Sequence, residues 1–76
     1  MNKITGVILA NNIRAERNRA NMTIDETIDK LGVSKPTYIE YEKDAKTLKV
    51  EYLIKLSEIF KCDINNFFIS YNLTDS

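Results

Sequence analysis

An all-α fold is predicted for this chain, on three observations. Apolar residues return at spacings of three and four along most of its length, capping residues stand ahead of these runs, and no segment alternates as a half-buried strand would. Val7, Ile8, Leu9, Ile13 and Ala20 give a patchy apolar face to a first helix near residues 6 to 20. Thr23 opens a second, because its hydroxyl can accept from the amide of Glu26 while the Glu26 carboxylate reaches back to the amide of Thr23. Asp25 adds negative charge where the helix dipole favours it, Gly32 can close the helix in the left-handed conformation, and Ile24, Ile28 and Leu31 form the buried side.

Ser34 caps a third helix running from about Lys35 to Lys43, with Pro36 in the first turn, where a missing amide proton costs no helical bond. Tyr38 and Tyr41 point inward with Val33. Lys35, Ile39 and Lys43, four apart, share an outer stripe with Pro36 and Glu40 beside it. A polar loop over residues 44–49 breaks the pattern. Val50, Leu53, Ile54, Leu56, Ser57 and Phe60 describe a fourth helix, and Asp63 caps a short fifth containing Ile64, Phe67 and Phe68.

Seventy-six residues, 43% hydrophobic and 29% charged, have the profile of one globular domain. No apolar run approaches the roughly 18 residues that span a bilayer, and the N-terminus lacks the pattern of a secretory signal, so a cytoplasmic location without membrane contact is expected. Cys62, the only cysteine, cannot form an internal disulfide, and a reducing compartment fits. There is no histidine, no glycine-rich phosphate loop and no metal-ligand spacing, so the expectation is of no enzyme, no metal and no cofactor.

Eleven basic and eleven acidic residues leave a net charge of zero, which weighs mildly against nucleic acid as partner. Their distribution is uneven. Lys3, Arg14, Arg17 and Arg19 lie before residue 22, Lys35, Lys43, Lys46 and Lys49 lie across the third helix and the loop after it, and Asp25, Glu26 and Asp29 cluster between. A basic stripe is compatible with overall neutrality, the alternative being ordinary solvated charge.

The two helical patterns meeting at Leu31-Gly32-Val33-Ser34 have the form of a helix-turn-helix, a unit that usually puts its second helix into the DNA major groove. Three strings extend the likeness over residues 13–68: I-R-A-E-R-N-R-A-N-M-T, then D-E-T-I-D-K-L-G-V-S-K-P-T-Y-I-E-Y-E-K, and later L-I-K-L-S-E-I-F-K-C-D-I-N-N-F-F. Through them the chain resembles the Cro/C1-type (XRE-like, phage-repressor-like) helix-turn-helix family. The resemblance implies a five-helix repressor-like bundle with a helix-turn-helix formed by helices 2 and 3, the third reading bases. Residues 1–68 would form the DNA-binding domain and 69–76 a C-terminal tail, offered as a dimerisation segment.

Roles follow residue by residue from the same resemblance. Arg17 and Glu42 fall where members bury an arginine-carboxylate pair joining the first helix to the third, two exposed charges being the alternative. Thr23, Ser34 and Lys43 match positions that touch the DNA backbone, and Lys46, in the loop beyond, joins them. Lys35, Pro36, Thr37 and Glu40 match positions facing base edges: Lys35 can donate to guanine O6 and N7, Thr37 can meet a thymine methyl or offer its hydroxyl, and Glu40 can accept from cytosine N4. Pro36 makes no bidentate contact and either packs on a thymine methyl or sets the start of the helix.

Three departures stand out. Ile24 replaces the glutamine whose amide clamps a phosphate, Asp44 replaces a glycine able to turn left-handed, and Lys49 replaces a capping serine. Cys62 matches a small core position, so a buried packing thiol is expected and a redox sensor is the alternative. Tyr38, Tyr41 and Tyr52 are expected in the core rather than stacked on bases. Phe67, Phe68, Ile69 and Tyr71 are more apolar surface than so small a monomer buries, and they are the candidates for a dimer interface, against a core cap. The expected function is a sequence-specific transcriptional regulator, a repressor acting as a homodimer on palindromic double-stranded DNA, with regulation through concentration, dimerisation or a separate regulatory protein partner. The alternative is a protein-interaction module on the same fold, with Ile39 as an apolar anchor.

Overall fold

The computed structural model describes residues 4–70. In order come α1 (Gly6–Arg19), α2 (Ile24–Leu31), α3 (Lys35–Lys43), α4 (Val50–Phe60) and a C-terminal 3-10 helix (Ile64–Phe68), with no strand among the described residues. The fifth element is thus a tighter 3-10 turn. None of these helices is long and apolar enough to cross a membrane.

Local chemistry explains most boundaries. Thr5 accepts from the amide of Ile8, Thr23 and Glu26 exchange both bonds of a capping box at 3.0 and 2.9 Å, and Ser34 accepts from Thr37 N. Gly32 ends α2 at φ 83°, a conformation that needs no Cβ relief. Lys49 supplies no side-chain cap to α4, as its ammonium cannot accept a bond. Asp44 does not take the left-handed turn open to it. It is extended, at φ −155°, and its carboxylate instead accepts from the amide of Lys46 at 3.1 Å.

That loop closes against the start of α1. Ala45 N donates to Gly6 O at 2.9 Å, and a Cβ on Gly6 would lie 2.7 Å from the backbone nitrogen of Lys46, so only glycine allows the approach. Helix α1 packs on α3 and on the 3-10 helix, while α2 packs on α4 and α3. The core they enclose is built from Ala10 and Ile13 of α1, Leu31 of α2, Tyr38 and Tyr41 of α3, Leu53, Leu56 and Phe60 of α4, Ala45 and Phe67. Phe60 and Phe67 meet edge to face, with centroids 6.4 Å apart.

Several apolar side chains lie elsewhere than their spacing suggests. In α2, Ile24 and Ile28 are half-buried against the core, and fully buried Thr27 completes the stripe with Leu31, its hydroxyl donating to Thr23 O at 2.9 Å. The face of α4 is narrower than expected, since Val50 and Ile54 are exposed. Tyr52 and Cys62 are half-buried at the core's edge, so the thiol is not the enclosed one expected, although burial and then Glu16 push its pKa up.

Phe67 requires a correction. It is completely buried within its own domain and has no surface to offer a second copy, because the 3-10 helix turns it inward beneath α1 and α4. The adjacent Phe68 and Ile69 are exposed, and Tyr71 lies outside the described residues. A buried amide sets this division: Asn12 Nδ2 on α1 donates to Phe67 O at 2.8 Å and Ile69 O at 2.7 Å, tying down the end of the 3-10 helix.

Candidate nucleic-acid interface

The frame of the helix-turn-helix is set from behind by α1. Arg17 Nε donates to Glu42 Oε2 at 2.7 Å and Nη2 to Glu42 Oε1 at 3.1 Å, while Nη1 reaches Met22 O at 2.9 Å. One guanidinium thereby joins α1, the turn before α2, and α3. Both side chains are largely enclosed, at 12% and 7% accessible, and the hydrogen bonds that Arg17 donates to Glu42 hold its pKa above the ordinary value. Arg14 adds a second tie, donating to the backbone carbonyl of Glu42 at 2.9 Å, one of the carbonyls a helix end leaves without an intrahelical partner.

Tyr38 lies behind the same pair. Burial first, and the neighbouring Glu42 carboxylate second, raise its pKa well above the phenolic range, so it stays neutral. Its hydroxyl has no hydrogen-bond partner, a feature unique to it among the buried side-chain polar atoms of the described residues.

These ties decide which cations remain for a ligand. Arg14 and Arg17 are committed to Glu42, and Arg19 pairs with the buried Glu16. Of these arginines only Arg17 is enclosed; Arg14 and Arg19 make their bonds from exposed positions. Lys35, Lys43, Lys46 and Lys49 are all exposed, on α3 and the loop after it.

Around them stand the other candidate groups. Thr23, Ser34, Pro36, Thr37 and Glu40 are exposed. Ser34 Oγ donates to Thr37 Oγ1 at 2.8 Å and accepts from Thr37 N at 3.3 Å, which leaves one proton of the hydroxyl pair free to turn outward. Pro36 occupies the second position of α3, so Lys35 provides the one uncommitted amide of that first turn, fewer than a helix N-terminus commonly presents to a phosphate. Glu26 is occupied in its cap, and the amide of Thr23 holds its carboxyl below the usual range.

Two ion pairs temper the basic surface. Lys35 Nζ lies 3.0 Å from Asp25 Oδ1, across the turn on α2, and Lys43 Nζ lies 3.8 Å from Glu40 Oε1 within α3. Ile39 is half-buried, not the open member of the outer stripe that the four-residue spacing suggests. Ile24, where the phosphate-clamping glutamine would stand, also packs on the core. The roles of Asp25, Asn12 and Arg14 as partners leave no mark in the sequence, because each meets its counterpart through tertiary placement. Thr27 did carry a signal, standing three residues after Ile24 and four before Leu31.

No curated protein and no solved structure matches the chain. A helix-turn-helix family model does match it, over residues 13–67, a span holding all of α2, α3 and α4 and the second half of α1. With that match over well more than half its length, and with the two helices, their left-handed junction and the arginine-carboxylate brace in place, the chain belongs to the Cro/C1-type helix-turn-helix family of DNA-binding regulators.

Proposed function

We propose that this protein is a transcriptional repressor that binds a palindromic operator as a homodimer, with the two copies of α3 in successive major grooves about 34 Å apart. The observation that carries the reading is the exposed first turn of α3. Lys35, Thr37 and, a turn further on, Glu40 project from a helix that α1 holds rigidly from behind. Lys35 and Thr37 suit guanine and thymine edges, and Glu40 accepts from cytosine while rejecting bases that present only acceptors. Thr23, Ser34, Lys43 and Lys46 contact phosphates and set the register. Pro36 packs on a thymine methyl or serves only to start the helix.

Exposed Phe68 and Ile69, where the chain runs into the 69–76 segment, supply the contact between copies. Phe68→Glu should then shift sedimentation toward monomer, and an unchanged dimer would place the contact elsewhere. Regulation then comes from concentration, dimerisation or a separate protein partner in the cytoplasm.

The paired lysines and the net neutrality favour a second reading, an interaction module with weak DNA affinity. Selection of duplexes from a randomised pool separates the two. For a repressor, a sequence emerges with twofold symmetry, its affinity falls steeply with salt, and Lys35→Ala lowers it by roughly 5- to 150-fold, the worth of one good base contact. Recovery of no preferred sequence would favour the interaction module.

A further inference from the structure

We propose that Asp25 is a positioning residue for base recognition: it holds the Lys35 ammonium where two of its three N–H groups face a guanine edge. This rests on the DNA-reading role assigned to α3. Lys35 Nζ and Asp25 Oδ1 are 3.0 Å apart, and both side chains are open to solvent, at 52% and 73% accessible. An exposed ion pair of this kind adds little to folding. Its consequence lies in where it leaves the lysine.

An ammonium has three donors, and the Asp25 carboxylate takes one. The remaining two match the O6 and N7 acceptors that guanine presents side by side in the major groove. A free lysine at the tip of a recognition helix samples many rotamers and settles on whichever phosphate is nearest, which adds affinity for any sequence. Paired with Asp25 on α2, it is biased toward one placement, so part of the ordering cost of the base contact is met in advance and the wandering phosphate contact is disfavoured. The geometry distinguishes this pair from the other one on α3. Glu40 and Lys43 lie three apart on the same helix at 3.8 Å, whereas Asp25 reaches Lys35 from a separate element whose orientation the Arg17 brace maintains.

The test compares wild type, Asp25→Asn, Lys35→Ala and the double variant, each measured against the duplex selected by wild type and against a random duplex, over a salt series. Asp25→Asn should raise random-duplex affinity and lower the selected-to-random ratio by about two- to fivefold, the range set by one exposed pair. It should also steepen the salt dependence on random duplex by about 0.9, the increment for one more phosphate neutralised. The fall in ratio should be confined to base pairs that Lys35→Ala also relaxes, and it should vanish in the Lys35→Ala background.

Asp29→Asn is the control. Asp29 lies one turn further along α2 and is in no ion pair among the described residues, so it changes net charge alone. Equal effects of Asp25→Asn and Asp29→Asn overturn the proposal, as does an unchanged ratio or an equal fall with and without Lys35. A wild-type domain that selects no sequence would overturn the DNA-reading function as well, so the two failures are distinguishable.

Discussion

Replacing Arg17 by alanine removes two hydrogen bonds to Glu42, at 2.7 and 3.1 Å, and one to Met22 O at 2.9 Å. The larger consequence is what remains: a Glu42 side chain only 7% accessible, left without its counter-ion. Breaking a buried pair by removing one partner costs about 3–5 kcal/mol. A domain of 76 residues has a total stability of roughly 4–11 kcal/mol, so the variant keeps little or none of its margin. In urea, with a slope of about 1 kcal/mol per M, the midpoint should fall by at least about 3 M, and the melting temperature by at least about 12 °C.

The double variant Arg17→Met with Glu42→Leu separates the pair's net worth from the penalty of a stranded charge. It should recover most of the loss, because apolar residues of similar volume replace the pair without leaving a charge behind. Urea titration followed by far-UV circular dichroism, without DNA, is the assay. A loss under about 1 kcal/mol in the single variant, or a double variant no more stable than the single, would falsify the idea that this pair braces the helix-turn-helix.

Two further substitutions probe the same region. Tyr38→Phe removes a buried hydroxyl that has no partner, so it should leave stability unchanged or raise it by about 1 kcal/mol; a loss beyond that would mean the hydroxyl is bonded to Glu42 or Arg17 after all. Glu26→Gln retains an acceptor for the amide of Thr23 but removes the charge, in a carboxyl held below its ordinary value of 4.5. A carboxyl with a depressed folded-state pKa contributes stability that is complete above its unfolded value and is lost as pH falls through the folded one. Wild type should therefore melt higher than Glu26→Gln at pH 7, and the two curves should converge as pH falls below that value. A gap that stays constant under acidification would dissociate the charge from the cap.

The site was legible in unequal parts. Thr23, Glu26, Gly32 and Ser34 announced both helices of the motif and the turn between them, because a cap involves residues within three or four positions of one another. The Arg17–Glu42 pair came from family resemblance and not from spacing, its members standing 25 residues apart. The fate of Ile24 and Ile39, drawn into the domain's flanks and not left open, depended on what α1 and α4 place beside them.

By itself, then, the sequence determined the helices, their ends and the helix-turn-helix, since backbone bonds and apolar spacing act over single turns. Tertiary structure decided which charges are committed and which are free. Arg14 and Arg17 are taken by Glu42 on α3, and Lys35 is held by Asp25 on α2. It also decided that Phe67 belongs to the core and Phe68 to the surface, through an Asn12 amide 55 residues from the carbonyl it holds. The physical reason is that burial and pairing depend on what the fold brings alongside, and neighbours distant in the chain leave no local pattern.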